Sequence, residues 1–281
     1  MTIRLHTNAY GKNAVHLSRI IRHPDRHEIR HITVNISLQG DFDAVHTKGD
    51  NSKVLPTDTM KNTVYALAKQ EFTASIEEFG IVLATHFLDN NPQLSTATIT
   101  LSEYCWKRMT VDGAPHPHSF INGGSEKHTA TIAKDRLGLT LSSGISDLLI
   151  LKTTNSGFEN YIRDRYTTLK ETADRILSTQ CDVSWIYDTV PPAPSLLYEY
   201  VRENLLRTFA THQSLSVQHT LYAMGEDVLA SFPSIKEITL KMPNKHHILF
   251  NLGQFGMDND NEIFIATDEP YGYITGTITR S

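Results

Sequence analysis

A strict alternation of apolar and polar side chains at residues 31–38 constrains the fold of this chain more than any other short segment. The segment reads HITVNISL, so every second residue is aliphatic. Successive side chains of a β-strand point to opposite faces, and this period of two therefore predicts a strand that is buried on one face only. Residues 95–109, rich in threonine and carrying Tyr104 and Trp106, predict a second extended segment.

Two helices are predicted between these extended segments. Residues 59–69 form the first, with Asp58 or Thr57 as its N-cap. Residues 75–88 form the second, and Ser75 has the spacing of a capping box. The apolar residues that share one face of this helix are Phe79, Leu83 and Phe87.

The second half of the chain repeats this order of elements. It contains extended residues 126–152, a helix over 169–178, extended residues 181–187, helices over 196–211 and 216–231, a strand carrying Ile238, Leu240 and Met242, and extended residues 271–279. TDTMKNTVYAL and TTLKETADRIL are also weakly alike in the two halves. The pattern predicts an α+β fold of two duplicated modules, residues 1–135 and 136–281, each an antiparallel sheet with helices on one face.

Charge and composition exclude several classes of function. A formal net charge of −5 argues against a nucleic acid as the main partner. No apolar run approaches the ~18 residues that span a bilayer, and the N-terminus lacks the apolar core of a secretory signal. Two cysteines, Cys105 and Cys181, are too few for a disulfide framework and indicate a reducing compartment. We expect a soluble intracellular protein.

Neither a metal nor an organic cofactor is predicted. His116 and His118 could share one face of a strand, but no third ligand accompanies them, and a structural or solvent role is favoured. Asp258, Asp260 and Glu262 resemble the start of a calcium loop, yet its glycine and terminal glutamate are missing. A polar turn is the better interpretation of that segment.

Residues 151–179, LKTTNSGFENYIRDRYTTLKETADRILST, combine features that suit a flat ligand. We predict a strand, a loop and a helix here, with Phe158 offering an aromatic face and Arg175 a planar fork of donors. Taken singly, Phe158 is typical of a core and Arg175 of a helix surface. Lys12 alone reads as a solvated lysine, and Gln218 and Asn244 carry no signal of their own.

This segment resembles urate oxidase when it is read with three others. These are VLPTDTMKNTVYALAK at 54–69, SVQHTLYAMGE at 216–226 and MPNKHH at 242–247. The resemblance implies two tandem tunnelling-fold modules that close into a barrel in a homotetramer, with active sites at the subunit interfaces. It also implies conversion of urate, dioxygen and water to 5-hydroxyisourate and hydrogen peroxide, without a cofactor.

The resemblance further implies which side chains perform the reaction. YGK places Lys12 as the catalytic lysine, TDT places Thr57 as its hydroxyl partner, and PNKH places His246 beside this pair. Together they would form a proton relay. Lys12 and Thr57 would come from one subunit and His246 from its neighbour.

The same comparison implies a set of residues that bind the substrate. Phe158 would stack on the purine, Arg175 would clamp the urate anion, and Asn244 would lie over the ring. The remaining contacts would come from Thr57, from Asp58 as a backbone donor, and from Val217 and Gln218 at the pyrimidine edge.

Two alternatives stay open at the level of sequence. Another tunnelling-fold enzyme acting on a purine or pterin would need a zinc site or an anchoring glutamate, and Gln218 is not a glutamate. A non-catalytic purine-binding protein would not need Lys12, Thr57 and His246 together. The C-terminal TITRS lacks an SKL-type address, which favours a cytoplasmic location in a bacterium over peroxisomal import.

Overall fold

A computed structural model of the chain describes residues 3–72 and 75–280. These residues form two compact units. The first comprises the described residues up to Gly144 together with Ile186–Tyr198, and the second comprises Ile145–Trp185 together with the described residues from Glu199 onward. The units are defined by packing alone, so the division into duplicated modules at 135/136 stays a prediction.

The first unit is a sheet with helices packed on it. Its elements are β1 (Tyr10–Arg22), β2 (His27–Gly40), α1 (Asp43–Lys48), α2 (Thr57–Glu71), α3 (Ile76–Asn90), β3 (Leu94–Val111), β4 (Ala114–Asp135) and the first part of β5 (Leu139–Lys152). The strands follow one another in the order β1-β2-β3-β4-β5, and the first three pairings are antiparallel.

The buried face of β2 has the period that the sequence predicts. The aliphatic residues that alternate along it are almost completely buried: Ile32, Val34, Ile36 and Leu38. Helix α3 covers the sheet with its own apolar face, made by Phe79, Leu83 and Phe87. It approaches β4 so closely that a Cβ atom at Gly80 would lie 2.2 Å from the Ile132 side chain. The predicted strand and helix are therefore confirmed.

The two helix N-termini differ from each other. Ser75 caps α3, because its hydroxyl accepts a hydrogen bond from the backbone N–H of Glu78 at 3.1 Å. The predicted capping of α2 by Thr57 or Asp58 is wrong, since Pro56 is the N-cap and no side chain caps the helix. Both residues lie in the first turn, where the Asp58 carboxylate accepts hydrogen bonds from Lys61 and Asn62.

The second unit has the same mixture of elements. They are the second part of β5, β6 (Leu177–Tyr187), α4 (Pro194–Thr211), α5 (Val217–Ser231), β7 (Ile235–Lys241), β8 (Asn244–Lys245), β9 (His247–Leu249), β10 (Phe264–Ala266) and β11 (Thr275–Thr279). The sheet order is β5-β6-β7-β11, with β8 paired to β6, and β9 and β10 form a separate antiparallel ribbon. Antiparallel sheets and the five α-helices of residues 3–72 and 75–280 confirm the α+β class. No helix in the described residues is both long and apolar enough to cross a membrane.

The helix predicted over residues 169–178 does not form. Thr172 instead pairs with Phe158 through two backbone hydrogen bonds of 2.8 and 3.2 Å. The backbone N–H of Arg175 donates to the Ser156 carbonyl at 2.7 Å, and β6 begins at Leu177. These non-local bonds use the groups that a helix would have paired locally. The segments TDTMKNTVYAL and TTLKETADRIL are therefore alike in sequence only: the first forms part of a helix, and the second is irregular up to the start of β6.

A buried polar network lies between α3 and the sheet of the first unit. Glu77 is fully buried, and one of its oxygens accepts hydrogen bonds from His128 Nε2 at 2.8 Å and from Ser143 Oγ at 2.6 Å. His128 also stacks on Tyr198 with ring centroids 3.7 Å apart. Burial raises the pKa of Glu77, but its bonds with His128 and Ser143 more than offset this, and the net pKa is lowered.

We expect Glu77→Gln to lower the free energy of unfolding at pH 7 by roughly 1.5–3 kcal/mol, since charge-assisted hydrogen bonds become neutral ones. A carboxylate whose folded pKa is lowered stabilises the protein above its unfolded pKa, and this contribution disappears as the pH falls. The difference from wild type should therefore shrink below about pH 4.5. Urea unfolding of both proteins over a range of pH, at fixed protein concentration, measures this difference in the free energy of unfolding. Glu78→Gln, exposed on the same helix, is the control; an equal effect there would contradict the prediction.

Candidate active site

A cavity of about 240 Å³ in the second unit gathers four of the predicted site residues. They are Phe158, Arg175, Asn244 and His246. The rest of the lining is made by Leu169, Lys170, Thr172, Ile176, His247 and Ile248. Since Phe158 and His246 are far apart in the sequence, only the folded chain brings them to one cavity.

The loop that carries Phe158 is held from two sides. The pairing of Phe158 with Thr172 ties it to the segment before Arg175. On the other side, the Gly157 N–H donates to the Ser214 carbonyl at 2.8 Å. A Cβ atom at Gly157 would lie 3.0 Å from the Ala173 carbonyl oxygen, so the two segments approach as closely as a glycine allows. The ring of Phe158 thus projects from a backbone that is fixed locally.

Asp174 fixes the position of its neighbour Arg175. Its carboxylate accepts hydrogen bonds from Thr154 Oγ1 at 2.8 Å and from the Ser156 N–H at 3.4 Å. The bond from Thr154 is the main reason why the pKa of Asp174 is lowered. The carboxylate stays ionised at neutral pH and joins the two segments that carry the aromatic ring and the guanidinium.

Arg175 is oriented towards the aromatic ring but is not saturated with hydrogen bonds. Its Cζ atom lies 5.2 Å from the centroid of the Phe158 ring. In the part of the chain that the structure describes, its buried Nε has no acceptor. Burial lowers the pKa of Arg175 from its ordinary value, although a guanidinium remains charged at neutral pH. An anionic ligand in the cavity would supply the missing acceptor.

Asn244 lies in β8, and His246 lies between β8 and β9. Asn244 pairs with Thr179 of β6, and its N–H donates to the Gly272 carbonyl at 2.8 Å. The carbonyl of His246 accepts the Thr267 N–H at 2.9 Å. Because β6 begins two residues after Arg175, this pairing brings the amide and the imidazole to the guanidinium.

Val217 and Gln218 begin α5 and do not line this cavity. Val217 is buried and Gln218 is exposed. The Ser216 hydroxyl caps the helix by accepting the His219 N–H at 3.1 Å. The first turn of a helix presents backbone N–H groups without intrahelical acceptors, and those of Val217 and Gln218 belong to it.

The first unit brings Lys12 close to the start of α2. Gly11 precedes it on β1, where a Cβ atom would overlap the Ile36 carbonyl oxygen at 1.8 Å, and a bulge follows between Lys12 and Val15. The pKa of Asp58 is lowered first by Lys61, then by Asn62, and further by the charge of Lys12. Lys12 and Asp58 are therefore close enough within this unit for their charges to interact. Thr57, the residue before Asp58, is half-buried.

Sequence reasoning missed the residues between 169 and 176 that line the cavity. The helix predicted over 169–178 gave no role to Leu169 or Thr172, and both contribute to the lining. His247 lies in the MPNKHH motif but is given no role by it, and it also lines the cavity. The rings of His116 and His118 lie 4.6 Å apart, and no group of three or more potential ligands is arranged for a metal among the described residues.

The cavity, with its aromatic ring and partly unsatisfied guanidinium, has the chemistry that suits a planar anion rich in acceptors. The uricase family model matches residues 8–133 and 141–275. The uricase of Arthrobacter globiformis is 43% identical over 273 residues, which cover 97% of this chain and 89% of that protein. The uricase of Dictyostelium discoideum is 38% identical and covers 98% and 96%.

Solved structures give the same result. The crystal structure of the Arthrobacter globiformis uricase has a TM-score of 0.95 at 42% identity and covers 100% of this chain and 96% of that one. A uricase from Bacillus fastidious has a TM-score of 0.85 at 26% identity, with coverage of 98% and 94%. The chain belongs to the uricase family, whose members oxidise urate with dioxygen. None of these matches supports either alternative function.

Proposed function

We propose that the chain oxidises urate without a metal or organic cofactor and that the predicted residues carry out the steps. Urate, dioxygen and water would give 5-hydroxyisourate and hydrogen peroxide: urate loses two electrons, dioxygen gains them and becomes peroxide, and water supplies the hydroxyl group. The observation that supports this most directly is the cavity that gathers Phe158, Arg175, Asn244 and His246.

Binding of urate follows from the chemistry of this cavity. Arg175 can donate two parallel, charge-assisted hydrogen bonds to a carbonyl and the adjacent ring nitrogen of the urate anion. Phe158 stacks on the purine and adds about 1 kcal/mol beyond the burial of apolar area. Gln218 can both donate and accept, which suits the opposite edge of the ring, and the backbone amides of Val217 and Asp58 complete the recognition.

Proton transfer is assigned to Lys12, Thr57 and His246. A lysine, a hydroxyl and an imidazole within one chain of hydrogen bonds can take protons from urate and deliver them to peroxide. Asn244 and Thr57 would hold dioxygen over the ring, and afterwards the water that hydroxylates the intermediate. Within the first unit, the charge of Lys12 acts on Asp58, the residue next to Thr57.

We further propose a homotetramer in which each active site is shared between two subunits. Strand β1 is at the end of the strand order of the first unit, and β11 is at the end of that of the second. Open strand edges favour pairing with another chain, and pairing between subunits would close the sheets into a barrel. Lys12 and Thr57 would then face the cavity of a neighbouring subunit.

Urate oxidation by the purified chain tests the proposal. We expect urate and dioxygen to disappear in equal amounts while one peroxide appears per urate. The rate should not change after dialysis against EDTA. A loss of activity that a divalent metal restores would overturn the cofactor-free reaction. Absence of urate turnover, with turnover of a pterin instead, would overturn the assignment of the substrate.

A further inference from the structure

A second aromatic ring lies directly behind the substrate platform. The rings of Tyr161 and Phe158 are nearly parallel, with centroids 4.8 Å apart and planes inclined by 13°. Such a stack covers one face of Phe158 and leaves the opposite face for a flat ligand. Tyr161 does not line the cavity itself, so its effect on a ligand must pass through its neighbours, above all through Phe158.

Two contacts hold the Tyr161 side chain in place, one at its hydroxyl and one at its ring. Its hydroxyl donates a hydrogen bond to the Leu169 carbonyl at 2.7 Å, and Leu169 lines the cavity. The guanidinium of Arg163 lies over the ring, with its Cζ atom 5.3 Å from the ring centroid, within the range of a cation–π interaction. Arg163 in turn contacts Glu171 at 3.4 Å, and Glu171 accepts the Asn160 N–H at 3.2 Å.

We propose that Tyr161 is a positioning residue for the substrate, which rests on the proposed function of the cavity. The side chain backs the Phe158 ring and sets the height and tilt of the platform relative to Arg175. A phenyl ring on a loop can rotate away when nothing supports its outer face, and a bound purine would then lose its alignment with the guanidinium. The hydroxyl bond to Leu169 links this support to a second residue of the cavity lining.

Three substitutions separate the stack from its hydroxyl anchor. Tyr161→Leu keeps an apolar side chain without a ring and should raise KM for urate about tenfold, with a smaller change in kcat. Tyr161→Ala should raise KM at least as much. Tyr161→Phe retains the stack and should remain within about threefold of wild type. The anaerobic Kd of urate should follow KM, because no turnover occurs without dioxygen.

Tyr166→Ala is the matched control. Tyr166 lies in the same loop and is exposed, and the Cζ atom of Arg165 lies 4.6 Å from its ring centroid, so it shares the cation–π contact of Tyr161 but not the stack on Phe158. Its KM should equal that of wild type. If Tyr161→Leu also has the wild-type KM and Kd, the inference is overturned while urate oxidation by the wild type stands. If the wild type itself neither binds nor oxidises urate, the proposed function is overturned, and the inference about Tyr161 is overturned with it. A Tyr161→Phe variant as impaired as Tyr161→Leu would also overturn a role for the stack.

Discussion

Lys12→Met is expected to reduce kcat for urate oxidation by about 10²–10⁴-fold, with KM changed by less than about threefold. Methionine has a similar length and no proton to transfer, so the variant removes the relay and preserves most of the shape. Urate is held by other groups, chiefly Arg175 and Phe158, and its binding should persist. Steady-state kinetics and an anaerobic urate titration measure the two quantities separately.

Lys48→Met provides the control, since Lys48 is an exposed lysine at the end of α1. Its kinetics should match those of wild type. Equal losses in kcat and in urate affinity for Lys12→Met would contradict a relay role and would indicate that Lys12 binds the substrate. Because β1 is bulged immediately after Lys12, a thermal unfolding curve should accompany the kinetics.

Arg175→Lys is expected to lower kcat/KM for urate by about 10²–10⁴-fold, mainly through KM. Lysine retains a positive charge but cannot make two parallel bonds to one edge of a ring. Each charge-assisted hydrogen bond is worth about 1.5–3 kcal/mol, and the loss of both, when the shorter lysine no longer reaches the ring edge, accounts for this range. Steady-state kinetics over a wide range of urate concentration test it. Arg165→Lys, an exposed arginine of the same loop, should behave as wild type.

Mixing the two impaired variants, assayed at a urate concentration well below the KM of Arg175→Lys, tests whether the site is shared. When Lys12→Met and Arg175→Lys chains assemble together, some interfaces pair an intact Lys12 with an intact Arg175. Those interfaces should recover part of the wild-type activity, whereas each variant alone should not. No recovery in a verified mixed oligomer would show that both residues serve a site within one chain.

Much of the first unit could be predicted because its local signals agree with its packing. The alternation in β2 and the apolar face of α3 each describe one buried surface, and both surfaces are buried as expected. Ser75 forms a local cap that depends only on residues three apart. The cap predicted for α2 failed because Pro56 occupies the N-cap position.

The site could be predicted residue by residue but not in its geometry. The motifs identified Phe158, Arg175, Asn244 and His246, which share one cavity. They could not identify Tyr161, because its contribution is a stack on another side chain and has no periodicity. The residues of the first unit, Lys12 among them, keep their predicted roles as proposals.

The sequence by itself determined the α+β class, the order of strands and helices, and the family to which the chain belongs. Only the tertiary structure decided the conformation of residues 169–176, whose local pattern favours a helix. Backbone bonds from this segment to Ser156 and Phe158 replace the helical ones, and they join positions more than ten residues apart. Local propensity contributes only a fraction of a kcal/mol per residue, so a few non-local hydrogen bonds and a shared cavity wall outweigh it.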